Sequence, residues 1–387
     1  MGAAARHSGP IRLLFCAPGE DVEGGIAAVV LGLRRGLDGL PNLCYRRILY
    51  AKPARNLGVV ARLTREIWQL LRFLQQLIVY RPDVIHVQSS FDKKTIVRDS
   101  IHLWVASLFR KPFLLHAHGG EWHLVSSWSK AWRAYTGCFM RRCAQVIVTS
   151  QEEVEIIHRE FPVGIAACKI FNPLVLPESL PRKRATAPDR DRRIGVVFAS
   201  RIIESKGILD AIEAMALVQE RAVRLRVFGG GADLVRAKAL VDRRNLGGVV
   251  EFRGEIPLQD LLVEYSECDI FIFPSYHLEG FPMAFFYAVA CSAPIIATRV
   301  RPIPEYLREP DNCLWVEAKN PQSLAEKIEY LARRPDLRQR MSENNGELAR
   351  RFRPEVVAAE LWRIYERAAA GRGGPGAAGA ERTSPRG

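Results

Sequence analysis

A chain of 387 residues, 48% hydrophobic and 25% charged, has the composition of a globular protein and fits two domains of about 150–200 residues better than one core. It holds no uncharged apolar run of about 18 residues, and its start, MGAAARHSGPIRLLFCAPG, lacks the apolar segment of a secretory signal, so a cytoplasmic location is expected. The formal net charge of +14 is uneven: residues 1–180 hold 23 Lys and Arg against 14 Asp and Glu, the remainder 33 against 28, which predicts an anionic partner for the first half.

In chain order, IRLLFCAPG is a short apolar run ending in a turn, followed by EGGIAAVVLGLRRGL with helical spacing behind Gly24 and Gly25. PDVIHVQSS (82–90), KPFLLHAHGGE (111–121) and AQVIVTSQEEVEIIHREF (144–161) repeat the theme, each a continuous apolar or β-branched run followed by small or polar residues. Continuous rather than alternating runs predict strands buried on both faces, hence a parallel sheet covered by helices. The stretch PRKRATAPDRDRR (181–193) has no apolar periodicity and reads as a linker. Strand and helix then alternate again through IGVVFASR, ILDAIEAMALVQE, RLRVFGGG, VVEFRGE, LQDLLVEYSEC, DIFIFPS, PIIAT and a helix from Pro321. The expected organisation is a doubly wound domain over 1–180, the linker 181–193, a second doubly wound domain over 194–353, a helix over 354–370 and a disordered tail over 371–387. Eight cysteines, none in C-x-x-C spacing, read as small core residues in a reducing compartment.

Open parallel sheets bind ligands at the carboxyl ends of their strands, so the residues after each strand are the candidates. Arg201 follows IGVVFAS, and Lys206-Gly207 opens the next helix; two cations beside a helix N-terminus can hold a diphosphate, or can be solvated surface charges. Gly229, Gly230 and Gly231 permit close backbone approach to a ligand, as they would in any tight turn, and do not complete G-x-G-x-x-G, which argues against a nicotinamide cofactor. Glu279 precedes Gly280, Phe281 and Pro282 at another helix start, where a carboxylate can accept hydrogen bonds from sugar hydroxyls or simply cap the helix. His116 and His118 are expected to point to opposite faces of an extended segment and so to make poor joint metal ligands; His118, beside Gly119 and Gly120, is the one expected at a ligand. Asp189 and Asp191 form a D-x-D in the charged linker, a weak setting for a metal, and no metal site is expected.

The order Gly24-Gly25, His118-Gly119, Arg201 with Lys206-Gly207, Gly229–Gly231 and PSYHLEGFPMAFFYAVACSAPIIAT resembles the retaining glycosyltransferases of family 4 over roughly residues 10–368. The resemblance implies the GT-B architecture: two Rossmann-like α/β domains facing a central cleft, with a C-terminal helix crossing back to the first. It implies a metal-independent enzyme that takes no cofactor and moves a sugar from a nucleotide diphosphate, UDP- or GDP-linked, to an acceptor hydroxyl. Arg201 and Lys206 would hold the diphosphate, Glu279 the sugar hydroxyls, and Gly25 and His118 the donor from the other domain. The chain departs from the family at Tyr287, which would meet the donor's ribose where a second Glu is common, at Ser292, usually Gly, and at Val300-Arg301, often a Gly pair.

Two basic, aromatic stretches suit an anionic membrane and a polyprenyl-diphosphate-linked acceptor: 58–83, with Arg62, Arg65, Trp68 and Arg72, and 126–143, with Trp128, Trp132, Tyr135 and four cations. A core-facing helix with a solvated back accounts equally well for the first. The expected partners are therefore a nucleotide sugar, a lipid-linked or polysaccharide glycan and the inner face of the cell membrane, with no nucleic acid. A catalytically silent scaffold of the same fold, or a nucleotide-sugar epimerase, are the competing readings.

Overall fold

The computed structural model describes residues 9–19, 25–50, 58–120, 122–161, 164–177, 193–220, 222–277 and 280–371. Gly24, Glu279, the D-x-D aspartates, all of the expected linker but Arg193, and residues 372–387 lie outside them. The chain forms two compact units, one of residues 1–173 with 354–387 and one of residues 174–353.

The first unit alternates β1 (Ile11–Ala17), α1 (Gly25–Asp38), β2 (Leu43–Leu49), α2 (Val59–Val79), β3 (Val84–Ser89), α3 (Lys93–Leu108), β4 (Phe113–Ala117), α4 (Lys130–Arg142), β5 (Gln145–Val148), α5 (Gln151–Glu160) and β6 (Ala167–Lys169). Its strands lie parallel in the order β2-β1-β3-β4-β5-β6. Every residue of β3 and β4 is buried, as helices on both faces of the sheet require. Asp92 and Ser150 begin α3 and α5 with reciprocal capping boxes.

In the second unit β7 (Ile194–Ala199), α6 (Ile208–Leu217), β8 (Val223–Phe228), α7 (Leu234–Arg243), β9 (Val250–Gly254), α8 (Leu258–Glu267), β10 (Ile270–Phe273), α9 (Met283–Ala290), β11 (Ile295–Thr298), β12 (Cys313–Val316), α10 (Pro321–Ala332) and α11 (Pro335–Ala349) build a second parallel sheet, ordered β12-β11-β10-β7-β8-β9. The last helix, α12 (Pro354–Ala369), returns to the first unit and packs on α1. Gly36 allows that, since a Cβ there would lie 2.3 Å from the Pro354 carbonyl oxygen; one on Gly32 would lie 2.9 Å from Pro173.

The two basic, aromatic stretches exchange roles. Trp128 is only 5% exposed and joins the core with Trp122 and Phe91, while Trp132 packs against that core, so the tryptophans of 126–143 are not a surface patch. By contrast α2 buries Gln69, Phe73 and Leu77 but leaves Trp68 65% exposed.

Candidate functional site

In the second unit the candidate residues gather where β7, β8 and β10 end. Ser200 and Arg201 follow β7, and the chain then tightens into a single turn, Glu204–Lys206, before α6. Gly207 joins the two with φ +79°, and a Cβ there would meet the Pro274 carbonyl oxygen at 2.2 Å. Only glycine therefore lets this turn close against the end of β10. Gly229 (φ +122°) and Gly231 press in the same way on Ser200 and Ile202, whose carbonyl oxygens would stand 2.0 and 2.3 Å from an added Cβ. Gly230 accepts the Ile202 N–H at 2.8 Å. The glycine triplet thus braces the loop that carries Arg201.

Lys206 is 3% exposed, its ammonium 5.9 Å from the centre of the Phe273 ring. Burial, and then the nearby Arg201 charge, push it down to about 7. Arg201 itself is exposed. Its Nη2 lies 3.4 Å from His277 Nε2, and His277 Nδ1 lies 3.0 Å from Ser205 Oγ. A ring that accepts from the guanidinium at Nε2 carries its proton on Nδ1 and donates it to Ser205. Burial, Lys206 and Arg201 all hold this imidazole below its ordinary range, which keeps it neutral. Below it, the Ser275 hydroxyl donates to Ser205 O at 3.4 Å and receives the His277 N–H at 3.2 Å. Thr298 Oγ1 donates to the carbonyls of Phe273 and Ser275. This scaffold fixes the strand end from which Glu279 follows.

Beyond Glu279, Phe281 stacks on Phe286 with ring centres 3.9 Å apart, and Pro282 leads into α9. Tyr287 lies inside α9, 3% exposed, its phenol pushed up to about 12 by burial and hydrogen-bonded to the backbone of Val175. Ser292, just past α9, adopts φ +63°, a left-handed conformation that explains why glycine is usual there.

In the first unit His118 follows β4, with Gly119 and Gly120 behind it at φ +74° and +126°. A Cβ on Gly120 would strike the Ser90 and Phe91 carbonyl oxygens at 2.5 Å. The rings of His116 and His118 do not point apart; their centres are 4.1 Å from each other, because residues i and i+2 of a strand share a face. His86 and Gln88 of β3 occupy the same face and complete an array. His86 Nδ1 lies 2.7 Å from Tyr365 Oη of α12, its Nε2 lies 3.0 Å from Gln88 Nε2, and the other end of that amide reaches His118 Nε2. His118 Nδ1 lies 3.0 Å from the Asn172 amide. Burial pushes His86 down to about 3 and His118 to about 4, so both rings are neutral at pH 7. A neutral ring donates from one nitrogen only, so one of the two amides turns its nitrogen toward His118. Among the described residues no group of three or more His, Cys, Asp or Glu could hold a metal ion.

His277 stands inside the stretch quoted for the resemblance and could be singled out from its position after a strand. Gln88, Asn172 and Tyr365 carry no local signal, since only the fold joins them to His118. Gly25 begins α1.

Comparison with known proteins accounts for both units. The family model described as "Glycosyltransferase Family 4" matches residues 23–170, and that of "Glycosyl transferases group 1" matches residues 181–347. The N,N'-diacetylbacillosaminyl-diphospho-undecaprenol alpha-1,3-N-acetylgalactosaminyltransferase of Campylobacter jejuni is 28% identical over 177 residues, 46% of each chain. The D-inositol 3-phosphate glycosyltransferase of Corynebacterium jeikeium is 25% identical over 238 residues, 57% of each. The chain thus spans about half the length of these curated relatives. Anabaena HepE, solved with UDP and glucose, superposes with a TM-score of 0.66 at 16% identity, over 91% of this chain and 98% of that one. Sucrose-phosphate synthase of Thermosynechococcus elongatus gives 0.66 at 19%, over 93% and 100%. The fold is GT-B, and with one family model on each unit the chain belongs to the family 4 glycosyltransferases.

Proposed function

We propose that the protein is a retaining, metal-independent glycosyltransferase of cell-surface polysaccharide assembly. It moves a sugar from a UDP- or GDP-linked donor to a hydroxyl of a lipid-linked or polysaccharide glycan at the inner face of the cell membrane. The observation that carries this reading is Lys206, a buried ammonium beside Arg201 at the foot of a helix. A diphosphate is an anion that two neighbouring cations and a helix N-terminus can hold together. As the bond from the anomeric carbon to the diphosphate breaks, charge collects on the departing oxygens, and these cations stabilise it where a metal would otherwise stand. Glu279 accepts from the sugar hydroxyls, and His118, its ring nitrogens held by Gln88 and Asn172, packs against the donor without adding charge. Gly25, Gly229, Gly230, Gly280, Phe281 and Pro282 shape the backbone that meets the donor. Tyr287 contributes packing to this half of the site.

The lipid-linked acceptor is supported by the Campylobacter relative, whose name specifies a diphospho-undecaprenol substrate, and the UDP donor by the HepE complex. The test is release of nucleoside diphosphate from a panel of UDP- and GDP-sugars in the presence of EDTA, with Glu279→Gln beside the wild type. Turnover in EDTA that falls at least about 100-fold in Glu279→Gln is expected. Turnover that vanishes in EDTA and returns with Mg²⁺ or Mn²⁺ would put Asp189 and Asp191 back in consideration. Neither turnover nor nucleotide binding would leave the scaffold reading.

A further inference from the structure

Helices α2 and α3 pack on one another and each shows a second apolar face away from the sheet. On α2, Val60, Leu63, Ile67, Leu71 and Ile78 are 50–75% exposed and fall within a stripe about 80° wide at 100° per residue, separate from the buried Gln69, Phe73 and Leu77. On α3, Val97, Ile101, Trp104 and Leu108 recur at i, i+4, i+7 and i+11 and are 42–83% exposed. A helix apolar on both sides belongs in a core or against a second apolar phase, and single scattered apolar residues do not make such a stripe.

The charge around these stripes has one sign. Residues 58–142 contain 13 Lys and Arg against 5 Asp and Glu. Three of the five acids are engaged: Asp83 pairs with Arg12, Asp92 caps α3 and Asp99 is fully buried against Arg98. Arg65 and Arg72 lie on the flank of α2 that also carries Trp68. Lys93 and Lys94 open α3, and Arg110 and Lys111 follow it. Arg142 of α4 covers the exposed Trp104 ring at 4.9 Å. Tryptophan beside arginine on the rim of an apolar face is the composition that settles at a bilayer interface, where the ring straddles apolar and polar layers and the cation meets lipid phosphate. A second copy docking through the same face would set two basic rims against each other.

We propose that the outer face of α2 and α3 docks on an anionic phospholipid bilayer. The proposal rests on the reading that the acceptor is lipid-linked, since docking then brings the first unit to its substrate. The probe is co-sedimentation of the full chain with phosphatidylcholine vesicles and with vesicles containing 30% phosphatidylglycerol; UDP affinity is measured by calorimetry on the same samples. Wild type is expected to pellet with the anionic vesicles and to be released by 0.5 M salt. Arg65→Glu with Arg72→Glu should weaken binding on the order of tenfold or more, and Ile67→Glu with Leu71→Glu should abolish it. Ile67, Leu71 and Arg72 are exposed and Arg65 is half-buried, and both variants should keep the wild-type circular dichroism and UDP affinity. Wild type that stays in the supernatant, or an Ile67→Glu, Leu71→Glu variant that pellets like wild type, overturns the proposal. So does a dimer in sedimentation equilibrium that this variant dissociates, which would assign the face to a second copy. Vesicle binding without UDP binding would sink the transferase reading alone; UDP binding without vesicle binding would sink the docking alone.

Discussion

Lys206 concentrates the chemistry of the second unit into one proton. Its ammonium is held near 7, against about 10.5 in an unfolded chain, so between those values the unfolded chain binds more protons than the folded one. Lys206 therefore weighs against the fold most below pH 7, and this cost fades as pH rises toward 10.5. A bound diphosphate reverses the balance by favouring the charged form. At pH 8 UDP binding should take up about one proton, read as the slope of calorimetric enthalpy against buffer ionisation enthalpy. Lys206→Arg, which stays charged, should bind UDP with that slope lost. A zero slope in the wild type would remove Lys206 from the diphosphate. Residue identity announced this pair, because a cation after a buried strand is visible in a sequence. Burial was not visible: nothing in SKG says that the lysine is 3% exposed. Nor does the sequence tell that Tyr287 turns to Val175, since that contact joins residues more than a hundred positions apart.

Elements were legible in proportion to how completely they are covered. The continuous runs of β1, β3, β4, β7 and β10 announce strands buried on both faces. β2 and β6, which lack such a run, both lie at sheet edges. β2 carries Arg46 and Arg47 and buries Ile48 alone, and β6 is three residues long. A strand with one neighbour needs neither length nor a double apolar face. The boundary between units shows the same limit: composition changes at 181–193, but contacts divide the chain between Pro173 and Leu174. Apolar periodicity in α2 likewise does not say which side meets the sheet. At this scale the sharpest test is the α1–α12 contact. Gly36→Ala puts a Cβ 2.3 Å from the Pro354 carbonyl and 2.8 Å from the Ala358 methyl, so α12 must shift. A loss of about 1–3 kcal/mol is expected, with faster hydrogen exchange in α12 than in α10. Unchanged exchange in α12 would mean that the helix tolerates the displacement.

At the level of the whole molecule, the histidine array sets acid stability. His86 is held near 3 and His118 near 4, with His116 also well below its ordinary value, all by burial first. From about pH 6.5 downward the unfolded chain takes up protons that these rings refuse, so stability falls in that window. His86 alone should cost roughly 2 kcal/mol at pH 5. Thermal melting should therefore drop between pH 7.5 and pH 5, before most carboxylates titrate; an unchanged midpoint would contradict neutral rings.

Because Tyr365 belongs to α12, that array spans nearly the whole chain, and the second unit is an insertion within the first. On the ribosome, residues 1–173 emerge with their sheet strands in hand but with the Gly36 side of α1 uncovered. A further 180 residues must be made before its partner helix appears. The second unit has all its strands before synthesis ends, so the half made first is the half finished last.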